Sequence, residues 1–249
     1  MKLHIDTAPV WEAYRTDCEC PLCLLKRKVE TSGVDYFLGE SVMEPDQRIE
    51  VNQMGFCRHH FKQMYDVGNR LGLALMTDTH MRETLRRLKE NVKQMKLAAD
   101  GEASKPFIRR VVGRKGGGLE ECAEVILGME RRCVLCERIR GNMERYIYTL
   151  LYLYKTDAEF ASTFAASKGM CLEHFAETVR MAGEHLSGEA LKRFIDQLTD
   201  IEVANLERIE GELDWFTRKF DYRNDDKPWG NSRDALKRGI NKLRTEIID

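Results

Sequence analysis

"ECPLC" at residues 19–23 and "GFCRHHF" at 55–61 return further along the chain as "RCVLC" at 132–136 and "GMCLEHF" at 169–175. Cys20 and Cys23 map onto Cys133 and Cys136 with an offset of 113 residues, and Cys57 and His60 map onto Cys171 and His174 with an offset of 114. A phenylalanine follows each of these histidines, and a glycine stands two places before each second-motif cysteine. Self-similarity at a fixed spacing marks a repeated structural unit. That repeat governs how the remaining residues read.

It also sorts the spare side chains, because a ligand in one copy should have a counterpart in the other. His59 falls opposite Glu173, Cys18 opposite Arg131 and Cys122 opposite Pro9. His60 and His174 are therefore the expected histidines. Cys18 and Cys122 remain unassigned thiols.

In the first turn of a helix, residues i and i+3 share a face, so each Cys-x-x-Cys and each Cys-x-x-His is a two-point chelate. Two chelates make a tetrahedral site. Three thiolates and one imidazole form a recurrent structural zinc set whose closed shell leaves no position for substrate. Two zinc ions per chain are expected on Cys20, Cys23, Cys57, His60, Cys133, Cys136, Cys171 and His174, with an iron–sulfur cluster as the alternative. Whether a site closes within one copy or between copies is left open by the spacing. A thioredoxin-type redox pair would need a βαβ setting, which the pattern lacks. Lys26, Arg27, Lys28 and Arg58 around the first motifs, and Arg131, Arg132, Arg138 and Arg140 around the second, are candidate cations to offset an anionic site.

Composition narrows the partners. With 40 Lys and Arg against 41 Asp and Glu, the formal charge of −1 exerts no general pull on nucleic acid or anionic membranes. The longest apolar run, "YIYTLLYLY" at 146–154, is too short to span a bilayer, and the N-terminus shows no secretory pattern. The expected location is the cytoplasm, where eight cysteines stay reduced.

The periodicity is helical throughout, so the expected fold is all-α: two helical units, each with a Cys3His set, plus a C-terminal helix. The units span residues 1–99 and 119–222, with a flexible linker at 100–118 and an extension at 223–249. Leu25, Val29, Tyr36 and Phe37 form one apolar stripe; Ile139, Met143, Tyr146, Ile147 and Leu150 form its counterpart. Pro45 suits a first helical turn, Asp157 an N-cap and Gly169 a C-terminal cap. Long helices follow Cys57 and Cys171, the first bent near Gly68 and Gly72. Leu236, Ile240, Leu243 and Ile247 give the last helix an apolar face.

No serine or cysteine nucleophile has a matched base, so no catalytic residue is assigned and an enzyme is less expected than a module that binds a protein partner. A redox or metal sensor is the rival reading, with Cys18 or Cys122 exchanging into a site. The basic stretch "KPFIRRVVGRK" at 105–115, with Arg109, Arg110 and Arg114, hints at nucleic-acid contact without a recognised motif. "RKGGG" at 114–118 follows no strand and reads as linker. Tyr146, Tyr148, Tyr152 and Tyr154 read as core or interface, and His80 and His185 as ordinary polar residues.

"ECPLC", "MEPDQRIEVNQMGFCRHHF" at 43–61, "GNRLGLALM" at 68–76, "FDYRNDDKPWG" at 220–230 and "DALKRGINKL" at 234–243 together resemble an uncharacterised family of bacterial proteins, mostly from anaerobic Firmicutes, catalogued only as a domain of unknown function. The resemblance covers nearly the full chain and all eight ligand positions. It implies a cytoplasmic bacterial protein with duplicated cysteine motifs and no particular activity.

Overall fold

The computed structural model describes residues 3–103 and 117–245; the basic stretch at 105–115 and most of the expected linker lie outside the described residues. Among the described residues no strand occurs, and the fold is all-α. The first five helices are α1 (Leu3–Arg15), α2 (Pro21–Leu38), α3 (Pro45–Met54), α4 (Arg58–Val67) and α5 (Arg70–Ala103). The next five are α6 (Gly117–Glu130), α7 (Val134–Thr156), α8 (Ala158–Ala165), α9 (Leu172–His185) and α10 (Gly188–Arg218), and α11 (Ala235–Arg244) is the last among the described residues. The order within α1–α5 recurs in α6–α10. The correspondence therefore begins a helix before the cysteine motifs.

Local chemistry explains the boundaries. Pro45 occupies the first turn of α3, where its missing N–H costs nothing. Asp157 caps α8, its carboxylate accepting from the amides of Glu159 at 3.0 Å and Phe160 at 3.1 Å. Gly169 does not cap that helix, which ends at Ala165; it turns the chain towards Cys171 instead. The long helix expected after Cys57 is cut rather than bent, because left-handed Gly68 (φ 94°) closes α4. Gly72 lies inside α5. The counterpart after Cys171 is likewise cut, between His185 and Gly188.

Two compact units emerge, one built from Met1–Val29 with Gly141–Asp249 and the other from Glu30–Arg140. In the first, Phe160, Phe164 and Phe194 are fully buried, and Trp11, Tyr14 and Tyr154 close on them at ring separations of 4.9–5.8 Å. Such edge-to-face pairs add to the area they bury. In the second, Phe37 and Phe56 meet at 5.2 Å over buried Val51, Met64 and Met76. The expected stripes are largely buried: Leu25, Phe37, Ile139, Met143, Ile147 and Leu150 are in the interior.

The last helix departs from its apolar reading. It buries Ala235, Gly239 and Lys242, while Leu236 and Leu243 stay exposed. The small residues allow close approach to α10, and the lysine is held by polar groups described below. Ile247 lies outside the described residues.

Candidate metal centres

All eight sequence-predicted residues assemble into two groups of four, and the motifs pair crosswise. Cys20 and Cys23 join Cys171 and His174 in the first unit; Cys57 and His60 join Cys133 and Cys136 in the second. Each group thus takes Cys-x-x-Cys from one copy of the repeat and Cys-x-x-His from the other.

Helix starts place the ligands. Cys57 and Cys171 are extended N-cap residues of α4 and α9, with φ of −72° and −74°, and the histidines lie three residues on. Cys133 caps α7 and its sulfur accepts the amide of Cys136 at 3.4 Å. Cys20 precedes Pro21 at the start of α2, and its carbonyl accepts the amide of Cys23 at 3.1 Å. Two helix N-termini converge on each group, where exposed N–H groups favour thiolate.

In the first group, Nδ1 of His174 lies 3.2 Å from Sγ of Cys171, 3.4 Å from Cys20 and 3.5 Å from Cys23; Cys23 and Cys171 sulfurs are 3.7 Å apart. In the second, Nδ1 of His60 lies 3.2 Å from Cys133, 3.3 Å from Cys57 and 3.5 Å from Cys136; Cys57 and Cys136 sulfurs are 3.7 Å apart. None of the cysteines is disulfide-bonded; a disulfide needs sulfurs at about 2.05 Å. The arrangement can hold one metal ion at the centre of each group.

Electrostatics favour a cation there. Hydrogen bonds from Cys20 and Cys23 hold the Cys171 thiol well below the usual cysteine range, while burial pushes Cys20 well up. In the second group burial raises Cys133, but the bonds from His60 and the backbone together bring it down to about 6. Burial and the charge of Cys133 push Cys136 up. One sulfur per group is thus drawn towards the thiolate while burial keeps Cys20 and Cys136 towards the thiol, and a divalent ion would displace those protons.

The surroundings differ. All four residues of the first group are buried, whereas Cys136 is exposed and Cys57 half-buried. Glu30, which sequence reasoning missed, accepts from Nε2 of His60 and of His59 at 3.0 Å each. Its carboxyl falls to about 2 through the His60 bond, and it fixes the tautomer that presents Nδ1 to the sulfurs. No feature of the sequence separates Glu30 from Asp35, the other acidic residue on α2. His59 is thus a neighbour of Glu30, not a member of the sulfur group.

The loops are tied in different ways. In the second group the amide of Val134 donates to the carbonyl of Gly55 at 3.0 Å. The residue corresponding to Val134 is Pro21, which has no N–H to give. There the ammonium of Lys242, fully buried, donates to the carbonyls of Lys168 at 2.6 Å and Glu19 at 3.1 Å and faces Glu202 at 3.6 Å. The other oxygen of Glu202 accepts the amide of Met170 at 2.8 Å. The expected surface cations mostly meet carboxylates: Lys26 with Glu173, Lys28 with Glu12, Arg131 with Glu124, Arg138 with Glu50 and Arg140 with Glu137.

Of the remaining candidates, His80 donates from Nδ1 to the carbonyl of Asn52 at 3.0 Å, and His185 packs edge-on to Tyr148. Tyr154 donates to Gln197 at 2.6 Å. Cys122 is buried between α5 and α6, and Cys18 is half-buried.

A sequence model of a family of unknown function, DUF6062, matches residues 1–249. The chain belongs to the DUF6062 family. No curated protein and no solved structure matches this DUF6062 member, so its chemistry has to be argued from its own residues. No described helix is long and apolar enough to cross a membrane.

Proposed function

We propose that this protein is a zinc-stabilised helical binding module, in which two Cys3His ions each pin a pair of helix starts and a duplicated five-helix unit supplies the scaffold. The observation that carries the reading is the set of ligand separations. A tetrahedral ion with bonds of ~2.3 Å to sulfur and ~2.0 Å to nitrogen sets its ligands ~3.8 Å apart for sulfur pairs and ~3.5 Å for sulfur and nitrogen. The measured 3.7 Å and 3.2–3.5 Å fit one ion per group. A multi-iron cluster spreads its ligands over several irons and holds the sulfurs further apart.

A closed shell favours a structural role over catalysis, and metal binding then contributes folding free energy on the order of 10 kcal/mol per site. Binding a protein partner in the cytoplasm is the role such a scaffold suits. Metal and acid-labile sulfide per chain, measured after anaerobic purification without added metal, test it. Two zinc ions without sulfide support the reading; iron with sulfide overturns it in favour of an electron-transfer or sensing role.

A further inference from the structure

The groove between α5 and α6, which reaches the second sulfur group only through Arg132 next to Cys133, has the features of a ligand site. Its volume is about 840 Å³, inside the range of ~300–1,000 Å³ typical of small-molecule pockets. The helices run antiparallel along it. Ala98 approaches Gly118 at one end, and Nδ2 of Asn91 donates to the carbonyl of Cys122 at 2.9 Å near the middle.

Asn91 supplies the polar signal. The residue is only 7% exposed, and with its amide nitrogen committed to Cys122, its Oδ1 has no hydrogen-bond partner among the described residues. A buried acceptor left unpaired costs about 1–3 kcal/mol. A ligand N–H or O–H would recover that. Beside it the Cys122 thiol is soft and apolar, and Leu97 and Val125 line the groove while still 64% and 51% exposed.

Guanidinium groups gather at one end of the groove, with Glu90 beside them and Glu121 further along the lining. Arg86 and Arg87 lie about one helical turn from Asn91 on α5, and Arg132 follows the end of α6, so three guanidinium groups border the end away from Gly118. Arg86 and Arg87 share Glu83 through bonds of 2.8 Å, whereas none of the described residues pairs with Arg132. We infer that this groove binds an amphipathic small molecule with an apolar body, a hydrogen-bond donor for Asn91 and an anionic group set against Arg132. Neither the identity of the metal nor the binding-module reading enters the inference.

Two probes share such a body and differ in the anion: 1-anilinonaphthalene-8-sulfonate, with an N–H and a sulfonate, and N-phenyl-1-naphthylamine, with the N–H alone. Fluorescence titration of the metal-loaded protein should give one saturable sulfonate site per chain and markedly weaker binding of the uncharged probe. Arg132→Ala should remove most of that difference, and Asn91→Ala should weaken both probes about three- to tenfold. Val125→Trp changes an exposed lining residue and leaves the core alone; it should fill the groove and abolish binding with the metal content unchanged. Equal affinity for both probes, or binding that survives Val125→Trp, overturns the assignment.

Discussion

The sulfurs of Cys23 and Cys171, 148 residues apart in the chain, stand 3.7 Å from one another. Their closeness means that the first compact unit contains both chain ends of the fold and cannot be completed until α9 has been made. The second unit, by contrast, is continuous in sequence. The same four motifs, paired within each copy, would have given two independent sequential units.

Lys242 should be the most sensitive position outside the ligands. Lys242→Met leaves Glu202 buried without its cation and unties Glu19 from Lys168, a loss of about 3–5 kcal/mol by the usual cost of breaking a buried pair. The effect depends on pH. Burial already raises the Glu202 carboxyl and Lys242 opposes that rise, so removing the lysine raises it further. A carboxyl raised in the folded state binds its proton more tightly there, and its ionisation lowers stability as pH increases. Chemical denaturation should therefore show a larger loss relative to wild type at neutral pH than at about pH 4.5, the ordinary value of the carboxyl; an equal loss contradicts the account.

Gly169 has φ of +76°, and a Cβ there would lie 2.5 Å from Oε2 of Glu202. Gly55, its counterpart, has φ of +63° and faces the His80 ring in the same way. Either glycine changed to alanine should lose about 1–3 kcal/mol of stability from the backbone conformation alone. Thermal unfolding of Gly169→Ala beside Gly68→Ala separates conformation from crowding, because Gly68 is left-handed with open space around it.

If the second group holds a metal ion, Glu30→Gln should lower its affinity by about ten- to a hundredfold without touching the first, as loss of a carboxylate behind a metal-bound histidine generally does. Competition with a chromophoric chelator checks this. Two equally tight sites in the variant would show that Glu30 does not position His60.

Exposure separates the two groups. Cys136 is accessible and Cys57 half-buried, while the four residues of the first group are all buried. A thiol reagent should therefore label Cys136 first and release one metal equivalent well before the second. Simultaneous release of both would contradict the difference.

Much of the site was legible because metal chemistry fixes residue type and spacing. The duplication distinguished His60 from His59 and set Cys18 and Cys122 apart; none of the three joins the two sulfur groups, and His59 stands instead in a third cluster with Glu30 and His60. Pairing was not legible, since the i, i+3 spacing describes each half-site and is silent on which halves meet. The sequence-based units at 1–99 and 119–222 express correspondence between residues; the compact units express packing. Lys242 escaped notice because a lysine on an amphipathic helix ordinarily faces water, and the carbonyls and carboxylate that hold it inside come from distant parts of the chain. For the same reason the exposed Leu236 and Leu243 read as the buried face of α11 when they are its outer one.

Crosswise pairing is tested most directly by counting bound metal ions with native mass spectrometry in paired cysteine variants. Cys20→Ser with Cys171→Ser should remove one ion, because both residues serve one site, whereas Cys20→Ser with Cys57→Ser should remove two. The opposite result, one ion lost from the Cys20 and Cys57 pair and two from the Cys20 and Cys171 pair, would show that each site closes within its own copy of the repeat and would contradict the structure.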